Sequence, residues 1–131
     1  MNIFKNLFSN SDEEAQSSKI NWIPLTDLNQ LDEISVASNE KPAVIFKHST
    51  RCSISRMALK RFENEYDLTD DKVTIYFLDL LSFRAISNAI SSRFQVVHQS
   101  PQLILIKDGI AVYHVSHGDI DAGDLKTFLG L

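Results

Sequence analysis

FKHSTRCSISR, residues 46–56, joins the end of an apolar run to a polar turn and then to the start of a helical pattern. Upstream, residues 43–47 (AVIFK) are apolar at successive positions, which suits a central strand covered on both faces. His48, Ser49 and Thr50 make a polar turn. From Cys52 onward, Ile54, Ala58, Phe62 and Tyr66 recur every four residues, with Met57 and Leu59 beside them, so an amphipathic helix starts near the cysteine. A strand, a tight polar turn and a helix opening on a cysteine set the frame for the rest of the chain.

Working outward, extended and helical patterns alternate. Residues 20–25, with Trp22, read as a strand. Thr26 or Asp27 caps a helix carrying Leu28, Leu31 and Ile34 on one side. Residues 73–78 (VTIYFL) are a strand rich in β-formers. Phe83, Ile86, Ile90 and Phe94 mark a third helix. Residues 102–106 (QLILI) follow Ser100-Pro101, and Asp108-Gly109 separates them from 110–115 (IAVYHV), a hairpin signal. Leu125, Phe128 and Leu129 place a last helix. The order is β-α-β-α-β-α-β-β-α. It predicts an α/β fold: a mixed sheet with parallel N-terminal strands, a C-terminal antiparallel hairpin, and helices on both faces.

Composition limits the alternatives. The chain has 131 residues, 44% of them apolar and 23% charged, which fits one ordinary globular domain. A net charge of −4 argues against nucleic acid as a partner. No apolar run approaches the roughly 18 residues of a membrane span, so no stable membrane insertion is expected. One cysteine excludes an intrachain disulfide, and no metal-ligand spacing occurs among the four histidines. Residues 1–18 stand apart. Ile3, Phe4, Leu7 and Phe8 lie on one side of a short helical pattern, and a polar linker with Asp12, Glu13 and Glu14 follows. The domain is therefore expected over 19–131.

Cys52 is the candidate catalytic residue. The first turn of a helix carries unpaired N–H groups and partial positive charge, which favour a thiolate. Arg51 adds positive potential, and Ser55, three residues on, is expected to offer its hydroxyl to the sulfur. His48 and His114 read as structural histidines, and His117 has no assigned chemistry. Asp79 and Arg84 are expected to pair with each other.

The element order, the C-x-x-S segment Cys52-Ser53-Ile54-Ser55 and the Ser100-Pro101 ahead of the fourth strand resemble the thioredoxin superfamily. Within it, FKHSTRCSIS, LDLLSFRAISNAI, HQSPQLILI and VYHVSHGDI most resemble the monothiol bacilliredoxin family, over about residues 20–131. The resemblance implies a thioredoxin-like fold with a cis-proline at Pro101 opposite the cysteine. It also implies a backbone edge at Ser100 that pairs with an extended substrate. His98 and Gln99 would line the same groove, and Thr50 is grouped with them as substrate-binding. Two departures matter. Ser55 stands where thioredoxins carry a second cysteine, so a dithiol cycle cannot close within this chain. Ser53 stands where the family commonly has proline.

The activity implied is monothiol thiol–disulfide exchange in the cytoplasm. Cys52 would remove a low-molecular-weight thiol from protein mixed disulfides. The resemblance names bacillithiol as that thiol and co-substrate, with no tightly bound cofactor. Two other readings stay open from the residues: a dimeric iron–sulfur carrier with one Cys52 thiolate from each chain, and a redox-inert adaptor.

Overall fold

The computed structural model describes residues 20–131; the expected N-terminal segment, residues 1–18, lies outside the described residues. Within them the elements are β1 (Ile23–Pro24), α1 (Asn29–Ala37), β2 (Ala43–His48), α2 (Ser53–Glu65), β3 (Thr74–Asp79), α3 (Arg84–Phe94), β4 (Gln102–Lys107), β5 (Ile110–Ser116), a single 3-10 turn (His117–Asp119) and α4 (Ala122–Phe128). The sheet order is β1-β3-β2-β4-β5. β1, β3 and β2 run parallel, and β4 and β5 run antiparallel to their neighbours. This is the expected mixed sheet of a thioredoxin-like α/β fold.

Every residue of β2 is buried, as its unbroken apolar pattern requires. Its side chains alternate between two cores. Val44 and Phe46 meet Ala58, Leu59 and Phe62 of α2 and Ala122 and Leu125 of α4. Ala43 and Ile45 meet Leu31 and Ile34 of α1 and Ile86, Ile90 and Phe94 of α3. The helices therefore cover both faces. No helix among the described residues is long and apolar enough to cross a membrane.

Local chemistry sets the boundaries. Asp27 Oδ1 accepts from Asn29 N at 2.7 Å, and Gln30 Oε1 reaches back to the N–H groups of Thr26 and Asp27, which together fasten the start of α1. β1 is shorter than its apolar stretch because Pro24 has no N–H for a ladder; pairing ends with Leu25 N donating to Phe77 O. Asp108 and Gly109 both have positive φ, 54° and 76°, as a two-residue hairpin turn demands. That turn is tied to the end of α1, since Ser38 accepts from Asp108 N through its carbonyl and from Gly109 N through its hydroxyl.

Candidate active site

The β2–β4 pairing sets Lys47 opposite Gln102. The residues that follow β2 and those that precede β4 therefore meet at one end of the sheet. Cys52 belongs to the first group, Ser100 and Pro101 to the second. The Ser100-Pro101 bond is cis, as the resemblance implied.

Cys52 is the N-cap of α2, with extended backbone (φ −104°, ψ 122°) and a half-buried side chain. Its N–H donates to Ser49 O at 3.2 Å, closing the turn, and its carbonyl accepts the first helical bond, from Arg56 N. Arg56 Nη1 also donates to Thr50 O at 3.0 Å, so the turn is clamped from inside the helix. Thr50 and Arg51 are exposed on that turn.

Ser55 differs from its sequence reading. Its hydroxyl is turned inward and is fully buried. Oγ accepts from Ser49 N at 3.0 Å and lies 2.8 Å from His48 Nδ1, and no hydrogen bond joins it to Cys52 among the described residues. The reason is the strand's parity. His48 continues the Phe46 side of β2, where the first turn of α2 sits, and brings a polar ring to the buried hydroxyl there. His48 is thus structural, as read, but it also anchors the cysteine turn.

Burial pushes the His48 pKa down from 6.5 to about 4; the Asp79 charge opposes this, Arg56 reinforces it, and the Ser55 bond opposes it slightly. The ring is neutral at pH 7. Because the folded pKa lies below the unfolded one, the unfolded chain takes up the proton first as the pH falls. The His48 contribution is whole above pH 6.5 and is lost as the pH drops toward 4. At about 1.4 kcal/mol per pKa unit it is limited to about 3 kcal/mol. Urea midpoints measured from pH 7 to 4 should fall, and His48→Asn should flatten that part of the profile. An unchanged profile in the variant would assign the acid sensitivity elsewhere.

Asp79 does not pair with Arg84. Its Oδ2 accepts from Ser82 Oγ at 2.9 Å, Oδ1 is buried without a partner, and neither residue is in an ion pair among the described residues. Asp79 instead sits in register with His48. The serine three residues on claims the carboxylate before the chain turns into α3.

The second half of the site is held by Gln102, which is fully buried. Its Nε2 donates to Val97 O at 3.0 Å and its Oε1 accepts from Gln99 N at 3.4 Å. This fixes the loop that carries His98, Gln99 and Ser100. Pro101 O accepts from His117 N, whereas Ser100 takes part in no backbone–backbone hydrogen bond among the described residues. Lys47, unremarked in the sequence, is fully buried on the opposite face of β2 from His48, with Nζ 2.6 Å from His98 Nδ1. Burial lowers its pKa from 10.5 to about 8. Consecutive residues at the end of one strand thus anchor the two halves of the site, His48 the cysteine turn and Lys47 the cis-proline loop.

Comparison with known proteins agrees with this fold. A structure assigned as an oxidoreductase with a thioredoxin fold superposes with a TM-score of 0.68 at 29% identity, covering 81% of this chain and 91% of that one. Thioredoxin from Malassezia sympodialis gives 0.61 at 20% identity, with 82% and 86% covered. Thioredoxin from Fasciola hepatica gives 0.59 at 16%, with 82% and 95% covered. The last two share the fold. The family profile described as monothiol bacilliredoxin BrxC matches residues 23–125. A match that runs from β1 into α4 takes in the whole sheet and both halves of the site, and the chain therefore belongs to the monothiol bacilliredoxin family.

Proposed function

We propose that Cys52 removes a low-molecular-weight thiol from protein mixed disulfides. Family membership supports thiol–disulfide redox chemistry, and one observation carries the finer reading. The only sulfur nucleophile of the chain caps a helix at the open end of the sheet, while the position of a second thiol is filled by a serine locked to His48. Such a site can attack and release, but it cannot resolve its own mixed disulfide.

The Cys52 thiolate attacks the small-thiol sulfur of the mixed disulfide. A new S–S bond forms at Cys52, the old one breaks, and the client leaves as a thiolate that takes a proton from water. A second small thiol, as thiolate, then attacks the small-thiol sulfur held on Cys52. It forms the symmetric small-molecule disulfide and returns the Cys52 thiolate. Cys52 stands at the N-terminus of α2, where the helix end carries partial positive charge. The Ser100 backbone edge pairs with the client segment, with Gln99, His98 and Thr50 around it. Bacillithiol is the small thiol that the family description favours, and the reducing cytoplasm the compartment in which such exchange turns over.

The test uses one client protein carrying bacillithiol, glutathione or cysteine on the same thiol. The expected result is release of reduced client, a Cys52 adduct of matching mass, and the fastest transfer from the bacillithiol form. Equal rates for all three would remove bacillithiol from the reading. No transfer from any, or a brown protein absorbing in the visible, would favour the binding-module readings.

A further inference from the structure

Lys47 is in no ion pair among the described residues. Its side chain is wholly buried, and among the described residues its hydrogen-bond partner is His98 Nδ1 at 2.6 Å. The ion pairs among the described residues are Arg93–Asp32 and Lys126–Asp67, so none of Lys47, Arg84 and His98 is paired with a carboxylate among them. Burial, then the charges of Lys47 and Arg84, lower the His98 pKa. Three basic groups at this end of the sheet are thus in no ion pair among the described residues.

The lysine also fixes the state of the histidine. With its pKa held to about 8, Lys47 is mostly ammonium at pH 7. An ammonium only donates, so His98 Nδ1 must accept, and the ring proton stands on Nε2. His98 is exposed and sits on the loop that Gln102 fastens beside Ser100-Pro101. The result is an N–H donor polarised from behind by a buried cation, next to the edge that receives substrate.

We infer that His98 Nε2–H, backed by Lys47, is the docking point for a carboxylate of the small thiol, so that the site favours anionic small thiols over neutral or cationic ones. This rests on Cys52 as the transfer thiol. An acidic side chain of the client would supply the same chemistry, and small symmetric disulfides, which carry no client, separate the two.

The experiment measures the rate at which Cys52 of the full chain reacts with dithiodipropionate, hydroxyethyl disulfide and cystamine. Each rate is divided by that of N-acetylcysteine with the same disulfide. The anionic-to-neutral ratio is expected to reach roughly tenfold, the lower end of what a charge-assisted hydrogen bond contributes. It should fall to about one in His98→Phe and in Lys47→Met, the whole of that contribution being lost. A wild-type ratio of one or below overturns the inference even if the neutral disulfide reacts well, which leaves the transfer reading intact. If no disulfide reacts, the transfer reading fails, and nitrogen NMR of His98 still decides the docking point. The ring should show the Nε2–H form, and its Nε2 signal should shift with 3-(methylthio)propionate but not with the matching alcohol. An Nδ1–H form, or no shift, overturns it.

Discussion

Cys52→Ser is expected to abolish thiol transfer completely, with no residual rate above that of the small thiols alone. The chain has one cysteine, so no other sulfur can take the small thiol. A serine hydroxyl in its place does not attack a disulfide, and it would favour the helix as a better N-cap than cysteine. Loss of transfer with an unchanged or slightly raised urea midpoint would therefore report chemistry rather than unfolding. Ser55→Ala should behave differently. It strips a buried partner from Ser49 N–H and from His48 Nδ1, each a loss of about 1–3 kcal/mol if the group is left unsatisfied. It should lower stability and slow transfer without ending it, because the helix start remains. Release of labelled thiol from a mixed-disulfide client measures both variants. Residual transfer in Cys52→Ser would require a nucleophile other than sulfur and would end the monothiol reading.

Much of this was legible in the chain. The run 43–47, the Asp108-Gly109 turn and the cysteine at the start of a four-residue periodicity carry local signals, each strong enough to survive packing. The cis bond at Pro101 was legible only through the family resemblance. The contacts that finish the site were not legible, because they depend on which face of β2 a residue occupies and what later covers it. His48 and Ser55 are seven residues apart across a strand, a turn and a helix. Lys47 ends an apolar strand, where a lysine ordinarily reaches solvent; it is buried because the loop carrying His98, 51 residues on, closes over it. The Asp79–Arg84 pair failed for the opposite reason: Ser82, nearer in sequence, took the carboxylate first.

Phe62→Ala is expected to cost 3–5 kcal/mol, about the range for deleting a buried aromatic side chain. Phe62 is fully buried on the inner face of α2, with ring centroids 5.4 Å from Phe46, 5.6 Å from Tyr66 and 6.2 Å from Trp22. The cavity cannot close easily, because Phe46 is fixed in the central strand and Trp22 is held by Glu63 through its ring N–H. Ile54, in the same four-residue row but beyond the core at the start of the helix, and Met57 are 54% and 70% exposed, and their alanine variants should stay within about 0.5 kcal/mol of the parent. Urea midpoints at pH 7 distinguish the buried ring from the exposed side chains. The loss should also reach the chemistry. α2 holds Cys52 at its start, and the Ser55–His48 contact keeps that start seated only while the helix rests on its apolar face. Transfer by Phe62→Ala should therefore weaken under conditions where the folded fraction is still nearly complete, while Ile54→Ala and Met57→Ala leave the fold unchanged. A Phe62→Ala midpoint within 1 kcal/mol of the parent, a loss far below about 3 kcal/mol, would mean that α2 is not seated by this ring cluster, and the path from core to cysteine would have to be redrawn.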